Sequence, residues 1–284
     1  MISIGKVNSL KVVKILSFGI YLDAFEKGEI LMPTQYVPAN TKVGDIIDAF
    51  IYLDSEDKLI ATTEIPYAQI NEFAYLQVVA VNQIGAFVDW GLPKNLLVPF
   101  REQKMRLKEQ AFSWVYIYLD QQTQRIVASA KIEKFFSKTF PPFNIQDKVE
   151  VMMYKKTDLG YKVIVNQSYD GMIFANEAFQ TLELGKKYKA YIKNIREDGK
   201  IDLTLYKTGY NQVVDFSELL YEAIQNAEGY LPLHDKSPAD DIYSRFGVSK
   251  KVFKKAVGDL YKKQLIRIES DGLYLFIRYI FSFS

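Results

Sequence analysis

The chain has 284 residues, no cysteine, and a net charge of only +2. The missing cysteines exclude disulfides, thiolate metal sites and cysteine nucleophiles, and they fit a reducing cytoplasm. No charged start leads into a long apolar run, and no apolar stretch reaches membrane-spanning length, so neither a signal peptide nor a membrane span is expected.

In chain order, the first distinctive segment is Ser17-Phe18-Gly19-Ile20-Tyr21-Leu22-Asp23. It returns as Gln83-Ile84-Gly85-Ala86-Phe87-Val88-Asp89. Each reads Gly, one residue, an aromatic, an aliphatic and Asp. At the same offset Leu31-Met32-Pro33 matches Leu97-Val98-Pro99, and Tyr52-Leu53-Asp54 matches Tyr118-Leu119-Asp120. One turn residue later, Lys58 to Thr62 matches Arg125 to Ser129. Matched elements in one order mark an internal repeat. A weaker third copy starts at Gly160-Tyr161, continues through Gly171 to Phe174, and closes with a hairpin at Asp198-Gly199. Those two turn residues tolerate positive φ. Five short strand-like runs per copy predict a small barrel.

After residue 212 the apolar period changes from two to 3.6. Phe216, Leu219, Leu220, Ala223, Ile224 and Ala227 predict one helix. Ser237-Pro238 predicts the start of a second, ending near Gly247, and Ser249 caps a third. The third helix buries Val252, Phe253, Ala256, Val257 and Leu260 and leaves Lys250, Lys251, Lys254, Lys255, Lys262 and Lys263 outside. Leu265 to Ile268 and Leu273 to Leu275 flank the turn Ser270-Asp271-Gly272. Three helices and a two-stranded wing describe a winged helix.

The Gly-x-aromatic strand, the Pro-ended strand and the closing hairpin resemble the S1 class of RNA-binding domains. Three copies followed by this C-terminal segment resemble the conserved virulence factor B family of bacteria. The fold expected is mainly β: three tandem S1-type OB-fold barrels over residues 1–64, 65–140 and 141–211, then a winged-helix (α+β) domain over 212–275. The apolar tail 276–284 has no assigned role. The resemblance implies cytoplasmic binding of single-stranded RNA, an influence on the expression of other genes, and no catalysis.

S1 domains present aromatics on strands two and three to stack bases. The corresponding positions here are Phe18, Tyr21, Phe87, Tyr161 and Phe174. The third-strand position is Pro33 and Pro99 in copies one and two, a departure from the family pattern. Around these rings, basic residues would attract phosphates. Residues 1–64 have six basic against nine acidic residues, residues 65–140 nine against six, and residues 141–211 eleven against nine. Lys94, Arg101, Lys104, Arg106 and Lys108 in copy two, and Lys193 with its neighbours in copy three, are therefore the candidate contacts. Copies two and three are expected to be the stronger binders. Lys250, Lys251, Lys254 and Lys255 would add contacts from the winged helix.

No cofactor or metal is expected, because no phosphate-binding Gly-rich loop or His/Asp ligand spacing is present. Two other readings stand beside RNA binding. One is a DNA-binding regulator acting through the winged helix, disfavoured by the few Arg, Asn or Gln on its third helix to read base edges. The other is a protein-interaction scaffold, favoured by Pro33 and Pro99.

Overall fold

The computed structural model describes residues 2–54, 56–178, 181–205, 211–246 and 248–276. Two units divide the chain, residues 1–136 and 137–284.

The first unit holds two barrels. Strands β1 (Val7–Leu16), β2 (Gly19–Asp23), β3 (Glu29–Pro33), β4 (Ile46–Leu53) and β5 (Leu59–Thr62) close in the order β1-β2-β3-β5-β4. Leu10, Val12, Ile20, Leu22, Ile30 and Met32 fill the interior. Every second residue points inward, which is why the apolar pattern has period two. The second barrel uses β6 (Glu72–Val81), β7 (Gly85–Val88), β8 (Leu96–Pro99), β9 (Phe112–Leu119) and β10 (Ile126–Ser129). Its sheet runs β10-β9-β6-β7-β8, and the outer strands β8 and β10 lie side by side without a hydrogen-bonded ladder.

The second unit opens with a third barrel. It comprises β11 (Lys148–Thr157), β12 (Gly160–Val165), β13 (Tyr169–Phe174), β14 (Lys187–Ile195) and β15 (Ile201–Thr204), with a short α1 (Ala175–Ala178) after β13. It closes in the same order as the first. The predicted Asp198-Gly199 turn joins β14 to β15, with Gly199 at φ 77°.

Two local devices recur in all three barrels. The long first strand is bulged at the same place, between Val12 and Lys14, Val78 and Ala80, and Met153 and Lys155. Each bulge bends the strand so that it pairs with both neighbours. The repeated glycine is the second device. A Cβ on Gly19, Gly85 or Gly160 would lie 2.3, 2.4 or 2.2 Å from a carbonyl oxygen of the third strand. Only a residue without a side chain lets strands two and three approach that closely.

The winged helix follows: α2 (Asn211–Asn226), β16 (Tyr230–Leu231), α3 (Ala239–Phe246), α4 (Lys250–Lys262), β17 (Ile266–Ile268) and β18 (Leu273–Leu275). Phe216, Leu220, Ile224, Phe253, Val257 and Leu260 centre its core. Ser249 caps α4 as expected, its hydroxyl accepting from the Val252 amide. The sheet has three strands, because β16 joins the expected hairpin. Gly247 and the tail beyond Phe276 lie outside the described residues.

Candidate nucleic-acid interface

Strand register fixes which side chains share a face. Gly19, Gly85 and Gly160 pair with Pro33, Pro99 and Phe174. Two residues on, Tyr21 pairs with Leu31, Phe87 with Leu97, and Lys162 with Met172. Just before the glycine stand Phe18, Ile84 and Leu159, which are 55, 58 and 68% exposed. Each barrel thus presents one outward patch built from strands two and three, and the three patches differ in chemistry.

The first barrel's patch is aromatic with a cation. Phe18 meets Tyr21 edge-on at 6.4 Å between ring centroids. Lys14, on the neighbouring strand after the bulge, sits 5.4 Å from the Tyr21 ring. Residues 1–64 are acidic in sum, yet this barrel brings two rings and a lysine together. Lys14 was not singled out from sequence. Its register opposite Tyr21 is set by the bulge, which the apolar pattern does not reveal.

The second barrel's patch is apolar, with Ile84, Phe87, Leu97 and Pro99. Its basic residues are partly committed. Lys94 donates to the Asp54 carbonyl and pairs with Asp57 at 3.7 Å, so it ties barrel two to the β4–β5 turn of barrel one. Arg125, also missed from sequence, meets the same Asp57. Lys104 pairs with Glu133, and Arg101 lies 3.5 Å from Asp120. Arg106 stacks on Phe100 at 3.5 Å, a ready cation on an aromatic face. Lys108 is exposed.

Beneath the seam, Phe50 and Tyr52 of β4 pack into the apolar cluster of the second barrel, where Phe50 meets Trp90 at 5.7 Å. Burial, with the charges of Glu64 and Asp54 nearby, pushes the Tyr52 hydroxyl up to about 12, so it stays protonated. The equivalent residues of barrel two, Tyr116 and Tyr118, lie under the segment after β10, with Tyr116 stacked on Phe135 at 4.1 Å.

Glu102 is a buried acid of this region, 8% exposed. Burial alone would raise its carboxyl. Hydrogen bonds from Lys134, Ser129 and Tyr118 outweigh that and hold it below the usual carboxylate range. Lys134 donates to it at 2.5 Å. A lowered folded value stabilises above the unfolded value near about 4.3 and is lost as pH falls through the folded one. Glu102→Gln should therefore lose about 1.5–3 kcal/mol at neutral pH. Urea melts across pH should show that gap closing on the acid side, and a gap constant with pH would refute the charge-based account.

The third barrel corrects one expectation. Tyr161 is not on the outer face; it is 9% exposed and belongs to the barrel core. It follows Gly160 directly, so alternation sends it inward to the place of Ile20 and Ala86. Lys162 takes the outward position and pairs with Asp170 at 3.6 Å. Phe174 does lie on the face, half-buried, with the Arg196 guanidinium 6.0 Å from its ring. Arg196 is itself gripped by both oxygens of Asp202, at 2.9 and 3.1 Å. Lys155 is exposed opposite Lys162, and Lys193 is exposed on β14. This patch has one ring, Phe174, with Lys162 and Arg196 beside it.

On α4, Lys251, Lys254 and Lys255 are exposed, and no ion pair involves them among the described residues. Lys250 is half-buried, and its ammonium donates to the Lys236 carbonyl at 3.0 Å. Lys263 pairs with Asp259 at 2.8 Å.

Known proteins are similar to this chain in sequence. A family model described as S1 domain matches residues 4–64, and one described as CvfB-like winged helix domain matches residues 218–275. Conserved virulence factor B of Staphylococcus epidermidis ATCC 12228 is 25% identical over 283 residues, covering 96% of this chain and 94% of that protein. The chain is similar to conserved virulence factor B proteins over nearly its whole length. Another relative, the protein of Bacillus subtilis strain 168 named Uncharacterized protein YitL, is 27% identical, with 95% and 93% covered. A multidomain protein with nucleic acid binding domains from Streptococcus pneumoniae has a solved structure that is 22% identical, with a TM-score of 0.43 and 96% and 98% covered.

The CvfB-like match contains both the lysine face of α4 and the wing. Elsewhere, the acidic run Asp54, Glu56 and Asp57 forms a hairpin turn, with Asp54 accepting from the amides of Glu56 and Lys58. Its one further task is the seam with barrel two. His234 accepts the Lys236 amide at 3.1 Å and sits within a turn. Among the described residues no cluster of His, Cys, Asp and Glu could hold a metal, and no helix is long and apolar enough to cross a membrane.

Proposed function

We propose that this chain binds single-stranded RNA along the outward patches of its barrels and, acting in the cytoplasm without catalysis, influences gene expression after transcription. The observation that carries this reading is the first barrel's patch, where Phe18 and Tyr21 stand together under Lys14. Unpaired bases offer π faces to such rings, and each stack is worth about 1–3 kcal/mol. A duplex hides those faces, so a stacking platform favours single strands. The names of the relatives add a link to virulence.

The test is binding of a labelled single-stranded RNA at rising salt. Phe18→Ala with Tyr21→Ala should weaken binding roughly ten- to hundredfold. The logarithm of affinity should fall linearly with the logarithm of salt. Wild-type protein that fails to bind at low salt would refute the reading. Efficient competition by duplex DNA would instead favour the winged helix as the main contact. For that second surface the exposed lysines of α4 speak, and Lys251→Ala, Lys254→Ala and Lys255→Ala combined should flatten the salt dependence.

A further inference from the structure

Over the unpaired edge between β8 and β10 lies a cavity of about 150 Å³. Phe87, Trp90, Leu97 and Ile126 form its walls, and Tyr52 and Leu53 of the first barrel cover one side. Lys94, Asn95 and Arg125 stand among its lining with Asp57. The cavity exists because two things coincide. The second barrel leaves its outer strands unladdered, and the first barrel lays its β4–β5 hairpin beside that gap.

We propose that this cavity takes one single-ring base from a bound RNA strand. The inference rests on the RNA-binding reading and names a pocket within it. An apolar cavity of about 150 Å³ is the size that accepts benzene. A pyrimidine ring matches that space more closely than a two-ring purine does. Phe87 offers the stacking face. At the rim two cations, Lys94 and Arg125, share the single carboxylate of Asp57. A shallow groove of Ile84, Leu97, Pro99, Phe100 and Arg101 continues outward from the cavity and shares Ile84 and Leu97 with it. A strand crossing the barrel patch can therefore rest in the groove and place one base inside.

The chain has only two tryptophans, and Trp90 lines the cavity. The other, Trp114, is buried, and its Nε1 has no hydrogen-bond partner among the described residues. Trp114→Phe thus removes no hydrogen bond and leaves Trp90 as the sole reporter. The experiment titrates this variant with short oligouridylate and oligoadenylate, reading Trp90 fluorescence alongside polarisation of the labelled strand. Saturable change of Trp90 fluorescence with oligouridylate and little with oligoadenylate is expected. Phe87→Ala in the same background should abolish the fluorescence response and weaken oligouridylate binding about fivefold or more. Phe87→Leu, which keeps apolar bulk, should act in the same direction. Binding by polarisation with unchanged Trp90 fluorescence, or an equal response to both strands, would overturn the cavity and leave RNA binding intact. Absence of polarisation change with either strand at low salt would overturn both.

Discussion

Phe50→Ala should lower the stability of the first unit by about 3–5 kcal/mol, the usual cost of truncating a buried phenylalanine. Phe50 is 1% exposed, and its ring meets Trp90 edge-on at 5.7 Å and Tyr52 at 6.1 Å. It stands on β4 of the first barrel, yet its apolar neighbours include the core of the second. The ions across the same seam are exposed: the Arg125 and Asp57 side chains are 58 and 39% accessible. Exposed pairs contribute about 0–1 kcal/mol. The aromatic contact therefore outweighs the ionic one in holding the barrels together, and Asp57→Asn should cost under about 1 kcal/mol. Calorimetry checks both. In Phe50→Ala the two barrels should melt separately and earlier, because the packing that couples them is gone. A loss as small as that of Asp57→Asn would show that the seam does not couple the barrels.

What could be read from sequence follows from locality. The barrels and their order were legible because strand alternation, the recurring glycine and the hairpin turns are local and repeat. The Ser249 cap and the apolar stripe of α4 were legible for the same reason. Tyr161 was misplaced because an aromatic next to a glycine looks like the aromatic two residues beyond it in the other copies. Period-two alternation separates them, since the position after Gly19 and Gly85 is occupied by the inward Ile20 and Ala86. Lys94 and Asp57 are a different case. Each was visible, one as a basic candidate and one as a turn residue. Nothing near either in sequence says that they meet, because their pairing depends on how two barrels pack. The same holds for Tyr52 and Phe87, which share a cavity only across the seam.

Gly160→Ala should destabilise the second unit by roughly 3 kcal/mol, from backbone strain and forced overpacking together. The added Cβ would lie 2.2 Å from the Ile173 oxygen, 2.7 Å from the Ala175 nitrogen and 2.8 Å from the Phe174 Cα. All three are backbone atoms, so no side chain can turn away to make room. The φ of +142° adds strain for any residue with a Cβ. Gly44→Ala is the control. It also has positive φ, at +100°, but nothing lies within 4 Å of its Cβ site. It should lose only about 1 kcal/mol, and the difference between the two is chiefly the steric clash. The consequence reaches the binding face, because Gly160 pairs with Phe174. Forcing the strands apart moves Phe174 and the ring partner Arg196 off the third barrel's patch. RNA binding through that barrel should weaken even where the variant remains folded, while the Phe18 and Tyr21 platform of the first barrel keeps its share. A variant as stable as Gly44→Ala would mean that strands two and three can separate freely, and the recurring glycine would then need another explanation than their close approach.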